Sequence, residues 1–314
     1  LNKNHSLKKS LFYITVFSFL ITIISCKKEK TKVEPVSTPS INDSIAVEPE
    51  LKEEPRLIVH YSLDSLTKQE EVDSLFSRFS KEEQRNIFLL NRIEPVRIGL
   101  GTRLMIPDTL LVNFLKYAPF PQKMENLDSI PKSVLISQRI QAFALYENGI
   151  LVKWGPVSSG KLSTPTPNGL HYGNYKAKRK VSTVNDDWIL PYYFNFMNFE
   201  GVGVHQYLLP GFPASHACVR LDMEDAKYIY DWAKQWQLDP SGNTIVKNGT
   251  PFMVFGSFDH NKDAPWFELL SDPDSNNINE EELRTIERYV QEYMKDEKNF
   301  NNIKKNTEEV LASR

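Results

Sequence analysis

Cysteine is almost absent from this chain: Cys26 and Cys218 are the two in 314 residues. A disulfide-stapled fold is thereby excluded. Net charge is nearly lacking too, at −2 from 38 basic and 40 acidic residues. No basic stripe interleaved with aromatics runs along the sequence, so nothing points to a nucleic-acid partner. The six histidines are scattered. A long apolar run is also missing. Residues 11–24 are almost wholly apolar, but a membrane-spanning helix needs about 20 such residues. What is present is a chain 40% hydrophobic and 25% charged. That is enough to bury one sizeable core with a small module beside it.

The short apolar run has informative flanks. Lys3, Lys8 and Lys9 precede it, Ile23-Ile24-Ser25-Cys26 ends it, and Lys27-Lys28-Glu29-Lys30 follows at once. A charged start, a short apolar stretch and a small residue before the break read as a secretory signal. The Ile-Ile-Ser-Cys ending resembles a bacterial lipobox. The resemblance implies removal of residues 1–25, lipid on Cys26, and a membrane-anchored lipoprotein of the cell envelope facing the periplasm. The competing reading is an uncleaved anchor helix. With lipid on Cys26, Cys218 has no disulfide partner. It is then either an inert buried thiol or a group with chemistry to do.

Composition divides the rest. Residues 26–56 are rich in Lys, Glu, Pro, Ser and Thr, which predicts a disordered tether. Residues 57–130 predict a small helical module, with Leu75, Phe76 and Phe79, then Ile87, Phe88 and Leu90, at helical spacing. Within it, the stretch ending Leu89-Leu90-Asn91 and the later Gly99-Leu-Gly-Thr-Arg-Leu-Met-Ile-Pro107 resemble the second half of a LysM repeat, which implies a small α/β unit and glycan binding. A packing module that covers the next domain is the alternative.

Residues 131–258 change character. Strand composition covers 134–140 and 142–146, then Glu147-Asn148-Gly149 predicts a hairpin turn into a strand at 150–154. Residues 160–169 form a loop carrying Pro165 and Pro167, and short apolar strands are expected at 201–205 and 252–255. A helix is predicted from Met223 to Trp236, capped by Asp222, with Ala226, Ile229, Tyr230 and Ala233 on one face. Many short strands with few helices predict a mostly-β domain. In the charged extension 259–314, Asn279 and Glu282 have capping-box spacing. Leu283, Ile286, Val290 and Met294 follow as the apolar stripe of a docked helix.

The chemistry concentrates in His205-Gln-Tyr-Leu-Leu-Pro-Gly-Phe-Pro-Ala-Ser-His-Ala-Cys-Val-Arg-Leu221. A thiol is a weak nucleophile until deprotonated, and a neighbouring imidazole activates it. Two imidazoles lie close in sequence to Cys218. His205 ends an apolar strand, and a loop with Pro210, Gly211 and Pro213 folds back toward the cysteine.

Ser215-His216-Ala217-Cys218-Val219-Arg220 resembles the Ser-His-Gly-Cys-hydrophobic-Arg/Asn signature of L,D-transpeptidases of the YkuD type. His205 matches that family's separate catalytic histidine, and the loop Gly160-Lys-Leu-Ser-Thr-Pro-Thr-Pro-Asn-Gly169 resembles its Thr-Pro-x-Gly segment. The resemblance covers residues 134–258. It implies a mostly-β, mixed-sheet sandwich; the LysM-like module would precede it and the helix read at 279–294 would follow it. It implies a Cys218 thioester formed at a meso-diaminopimelate–D-Ala bond of a peptidoglycan stem, with His205 as base. The Gln206 carbonyl would hold the other ring nitrogen, and N–H groups around Ala217 and Cys218 would bind the oxyanion. Ser215, His216 and Arg220 would line the site, the last by pairing with a carboxylate or as a plain surface residue. No cofactor is called for. Ala217 departs from the family's glycine; a positive φ there would cost about 1–2 kcal/mol.

Three other readings stand beside this one. His205, His216 and Cys218 are acceptable zinc ligands. Water could resolve the thioester, giving an L,D-carboxypeptidase. A non-catalytic peptidoglycan-binding lipoprotein could keep the fold. Weaker candidates are His171, as a substrate contact or a structural residue, and Trp188, Tyr192, Tyr193 and Phe194, as groove wall or core.

Overall fold

The structure is a computed structural model that describes residues 58–300. The signal segment, Cys26, the tether before residue 58 and the tail after residue 300 lie outside the described residues.

The first elements form a β-α-α-β unit: β1 (Tyr61–Ser65), α1 (Gln69–Arg78), α2 (Lys81–Leu90) and β2 (Arg103–Pro107). β1 pairs antiparallel with β2. Ser80 caps α2 by accepting the Glu83 N–H, and the Glu83 carboxylate reaches back to the Ser80 N–H, a reciprocal box. Leu66, Val72, Leu75, Ile87, Phe88, Leu104 and Ile106 make the unit's own core. Asn91 locks the end of α2 to β2, bonding both the N–H and the carbonyl of Met105. Strand β1 had no readable signal, because Tyr61-Ser-Leu-Asp-Ser is mostly polar and mostly exposed.

Residues 133–255 build two sheets. The five-stranded sheet runs β5 (Ile150–Pro156), β4 (Ala142–Glu147), β3 (Ser133–Ser137), β13 (Pro251–Phe255), β6 (Gly169–Tyr172). It is mixed, since β13 runs parallel to β3 and antiparallel to β6. The four-stranded sheet runs β10 (Val219–Leu221), β9 (Val202–Gln206), β8 (Ile189–Met197), β7 (Lys176–Val181), with β10 parallel to β9. A short hairpin pairs β11 (Gln237–Leu238) with β12 (Ile245–Lys247). The fold is mostly β with mixed sheets and few helices, as the sequence predicted.

One core lies between the sheets: Val134, Ile136, Phe143, Phe252 and Val254 face Phe194, Phe196, Val204, Val219 and Leu221. Helix α3 (Met223–Trp232) closes it with Ala226 and Ile229, joined by Ala233 just beyond its end. Asp222 caps α3 through the Asp225 N–H at 2.7 Å. A second core covers the other face of the five-stranded sheet. There Leu135, Ala144, Tyr146, Met253 and Phe255 meet Tyr117, Phe120 and Leu127, and helix α4 (Glu280–Lys295). Burial on both faces explains why β3, β4 and β13 read as continuous apolar runs rather than alternations.

Three expectations need correction. The helix expected from Met223 to Trp236 ends at Trp232, where Ala233 turns to extended backbone. The strand expected over 134–140 ends at Ser137. Residues 138–141 form the hairpin turn into β4, with Gln141 at φ 50°, so Ile140 is buried at a turn and not in a ladder. The stripe on α4 is also different. Its capping box at Asn279 and Glu282 is present, but Leu283 and Met294 are exposed. The buried set is Ile286, Tyr289, Val290 and Tyr293. Two tyrosines displace the expected ends because their rings reach core, and the Tyr289 hydroxyl donates to the Val254 carbonyl.

Candidate active site

Strands β9 and β10 bring the two halves of the site together. Val219 is level with Val204 and Arg220 with His205. One step back, Cys218 falls level with Gly203. Side chains alternate across a sheet, so Val202, Val204, Val219 and Leu221 enter the core while Gly203, His205, Cys218 and Arg220 share the opposite face. That face opens on a cavity of about 460 Å³ lined by Cys218, His205, Tyr193, His216, Ser215 and Arg220, among others.

The turn before Cys218 is held by the loop between β5 and β6. Ser215 N–H donates to the Ser159 carbonyl and Lys161 N–H to the Ser215 carbonyl. Thr166 is the central tie. Its Oγ1 accepts the Gly160 N–H at 2.9 Å and donates to the Ala217 carbonyl at 2.7 Å. The Ser215 hydroxyl donates to the Cys218 carbonyl. With its carbonyls engaged this way, the turn adopts φ 74° at Ala217. Among the described residues, the N–H groups of Ala217 and Cys218 have no hydrogen-bond partner, so both remain available to an incoming oxygen.

The Cys218 Sγ lies 3.7 Å from the Gly201 carbonyl, which also accepts the Tyr193 hydroxyl at 2.7 Å. Burial pushes the thiol's pKa up, against a hydrogen bond from the Gly203 backbone and the charge of Arg220. Gly203 is required by space: a Cβ there would meet the Phe194 carbonyl oxygen at 2.6 Å and the Tyr193 ring at 2.9 Å.

The two histidines differ. His205 is buried, with Nδ1 2.9 Å from the Gln206 carbonyl. Burial lowers its pKa to about 4, so it is neutral at pH 7. A carbonyl can only accept, so Nδ1 carries the proton and Nε2 keeps its lone pair. His216 sits beside the Trp188 ring, with Nε2 3.0 Å from the Lys161 ammonium. Desolvation first, then Lys161 and Arg220, lower its pKa.

Arg220 has no carboxylate within ion-pair distance among the described residues, which corrects the expected pairing. Its guanidinium donates to the Ala214 carbonyl at 3.0 Å and stacks on Tyr207 at 4.7 Å. His171 lies against Phe196, with Nε2 3.2 Å from the Pro167 carbonyl, and is not among the cavity's lining residues. Phe194 is core, Tyr192 packs edge-on against Tyr230, and Trp188 and Tyr193 wall the cavity. Among the described residues no group of three His, Cys, Asp or Glu side chains has the arrangement of a metal site. Sequence reasoning missed Thr166, Lys161 and Gly201 as site builders. The alternation Gly-Val-Gly-Val-His was the available signal, since it strips the face beside His205 of side chains.

The first unit reaches this region. Glu94 N–H donates to the Leu209 carbonyl and Gly211 N–H to the Arg92 carbonyl, so residues 92–94 strap the loop that joins His205 to Ser215. Arg85 of α2 bonds Asp222 at 2.9 Å and Glu224 at 2.8 Å, at the start of α3.

Residues 131–254 match the model of the YkuD family, the L,D-transpeptidase catalytic domain. Several solved structures are similar. An L,D-transpeptidase (Yku) from Stackebrandtia nassauensis is 26% identical over 41% of this chain and 58% of its own, with a TM-score of 0.34. L,D-transpeptidase 1 from Mycobacterium tuberculosis is 22% identical over 40% of this chain and 62% of its own, with a TM-score of 0.30. An L,D-transpeptidase from Enterococcus faecium is 21% identical over 40% of this chain and 50% of its own, with a TM-score of 0.32. The chain thus spans less than two thirds of the length of each. No curated protein matches it.

Proposed function

We propose that this chain, whose residues 131–254 are a YkuD L,D-transpeptidase catalytic domain, uses Cys218 to transfer the acyl group of a peptidoglycan stem peptide to an amine. The thiol sulfur attacks the carbonyl of a meso-diaminopimelate–D-Ala bond while His205 Nε2 takes its proton. The tetrahedral oxyanion sits against the Ala217 and Cys218 N–H groups. One such donor is worth about 3 kcal/mol in the transition state of related acyl transfers. The C–N bond breaks, His205 returns the proton to the leaving D-Ala amine, and a Cys218 thioester remains. An amine of a second stem then attacks the thioester, giving its proton to His205, and the thiol is regenerated.

The observation that carries this reading is His205. Its Nδ1–H is committed to the Gln206 carbonyl, while its ring lines the same cavity as the Cys218 thiol. A base oriented by a second acceptor beside a thiol is the arrangement that cysteine acyl transfer needs. Ser215 and Thr166 hold the turn, and His216 and Arg220 line the cavity. Lipid on Cys26 would tie this domain to a membrane on the periplasmic side.

The test is incubation with a tetrapeptide donor and an amine acceptor, followed by intact-protein and product mass spectrometry. An acyl adduct on Cys218, D-Ala release and a cross-linked product are expected. A tripeptide in place of the cross-link would assign the acceptor to water. Absence of both D-Ala release and adduct would overturn the proposal.

A further inference from the structure

The Cys218 cavity holds an imbalance of charge. Lys180 enters from the end of β7 and Arg220 from β10, while Glu200 is its one lining carboxylate. His205 is neutral there at pH 7. Among the described residues neither cation has a carboxylate within 4.0 Å, although other lysines are committed. Lys153 pairs with Asp225 at 2.7 Å and Lys132 with Glu147 at 3.4 Å. Lys176, on the same strand as Lys180, donates to the Tyr230 and Ala233 carbonyls. Arg220 spends one donor on the Ala214 carbonyl and packs on Tyr207.

Among the described residues, the Lys180 ammonium contacts ring faces. Its ammonium lies 5.4 Å from the Tyr175 centroid and 5.6 Å from the Tyr193 centroid. Aromatic faces steady a cation without neutralising it, so the charge stays available. The second ring ties Lys180 to the chemistry. The Tyr193 hydroxyl donates to the Gly201 carbonyl that the Cys218 thiol also approaches. The ammonium is therefore linked to the Cys218 sulfur through the Tyr193 ring and the Gly201 carbonyl that both side chains approach.

We infer that Lys180 forms a carboxylate subsite in the acyl-donor pocket: it binds a free carboxylate of the donor stem and selects such donors over their amides. This rests on the acyl-transfer reading for the donor's identity. Two sources supply that carboxylate, the side-chain terminus of the diaminopimelate and the C-terminal D-Ala, and the test separates them. A steadied ammonium meeting a carboxylate in a partly desolvated pocket gains charge-assisted hydrogen bonds. A neutral carboxamide retains little of that attraction.

The experiment measures calorimetric binding of synthetic tetrapeptide donors to Cys218→Ala protein, with and without Lys180→Met. Three donors are used: the free acid, the side-chain amide and the C-terminal amide. Lys180→Met is expected to weaken free-acid binding about tenfold or more. The donor amidated at the recognised carboxylate is expected to bind equally with and without Lys180, and Lys180→Arg to restore most of the loss. Lys178→Met, a neighbour on β7, serves as the strand control and is expected to change nothing. Equal weakening of all three donors, or no weakening of any, overturns the subsite. Because the readout is binding, it is independent of turnover. An enzyme without D-Ala release but with the Lys180-dependent difference would sink the acyl-transfer reading and leave the subsite standing.

Discussion

The two histidine-bearing segments beside Cys218 are opposites. The end of β9 carries His205 buried in a ladder, its ring fixed by its own strand's next carbonyl. The turn at 215–218 carries His216 toward the surface, its Nε2 lone pair already taken by the Lys161 ammonium. Both imidazoles have lowered pKa values, but for the turn residue two cations contribute after desolvation, and for the strand residue burial dominates. A base needs a free lone pair and a fixed direction. The strand supplies both; the turn supplies instead a φ of 74° and N–H groups at Ala217 and Cys218 that are unpaired among the described residues. In the proposed reaction one segment would hold the proton acceptor and the other the sulfur and the anion donors.

The largest expected effect removes the sulfur. Cys218→Ala should abolish the acyl adduct and D-Ala release while the melting temperature stays near that of the parent, because the thiol's polar contacts are weak ones, to the Gly201 carbonyl at 3.7 Å and to the Gly203 backbone. Intact-mass detection of an adduct on this variant would place the chemistry elsewhere.

Next in size is the contrast between the histidines. His205→Ala should lower the acylation rate by about 10²–10⁴-fold, the usual worth of a general base. His216→Ala should cost about tenfold or less, since its lone pair faces Lys161. Reversed sizes in stopped-flow acylation would assign the base to the turn. The pH profile sharpens the same comparison. With His205 lowered to about 4, the base is unprotonated from pH 4 upward. The acid limb of kcat/KM should therefore fall near pH 4, whereas an unperturbed histidine would place it near 6.5. Stability, unlike the base's protonation state, already changes through that window. The unfolded chain takes up the His205 proton first, so acid costs stability between about pH 6.5 and 4. The profile is to be read where circular dichroism reports folded protein.

Ala217→Gly has a smaller effect. A glycine takes φ 74° without the Cβ clash, which would stabilise the protein by about 1 kcal/mol. The Ala217 methyl packs at the edge of the inter-sheet core, and its loss offsets part of the gain. A rise in melting temperature of about 2–4 °C is the upper bound, with acylation equal to or faster than the parent. A slower enzyme with unchanged melting would show that the methyl itself shapes the oxyanion site.

The sequence exposed the site unevenly. Cys218, His205 and the turn between them stood out because reactive residues sat close together in one chain segment. The inward strands β3, β4 and β13 were readable because burial on both faces makes them apolar throughout. Strands β7 and β8 had no such signal. Lys176-Ala-Lys-Arg-Lys-Val is an edge strand, where charge guards against pairing with other chains and hides the strand's identity. The cradle was hidden for a different reason. Thr166 acts on Ala217 through a contact 51 residues apart, and only tertiary folding creates it. The carboxylate expected for Arg220 was a plausible partner by charge, but a carbonyl and an aromatic ring satisfied the guanidinium instead.

The smallest expected effect concerns the frame that keeps the two histidine segments in register. β10 leads directly into Asp222, which caps α3 and is held by Arg85 from the first unit. The strap at residues 92–94 holds the connecting loop from the other side. Arg85→Ala removes the fork to Asp222 and Glu224 but leaves the cap and the strap in place. Arg85 is 38% exposed and Glu224 71%, so solvent screens much of the attraction. The loss should be about 0.5–1 kcal/mol of stability, with kcat/KM within about twofold of the parent. Asp222→Ala, by contrast, loses the cap as well and should cost about 1–2 kcal/mol. Urea melts of the two variants would order them. If Arg85→Ala left stability unchanged yet lowered acylation as much as His205→Ala, the first unit would be acting on the base itself, and the division between strand and turn would have to include it.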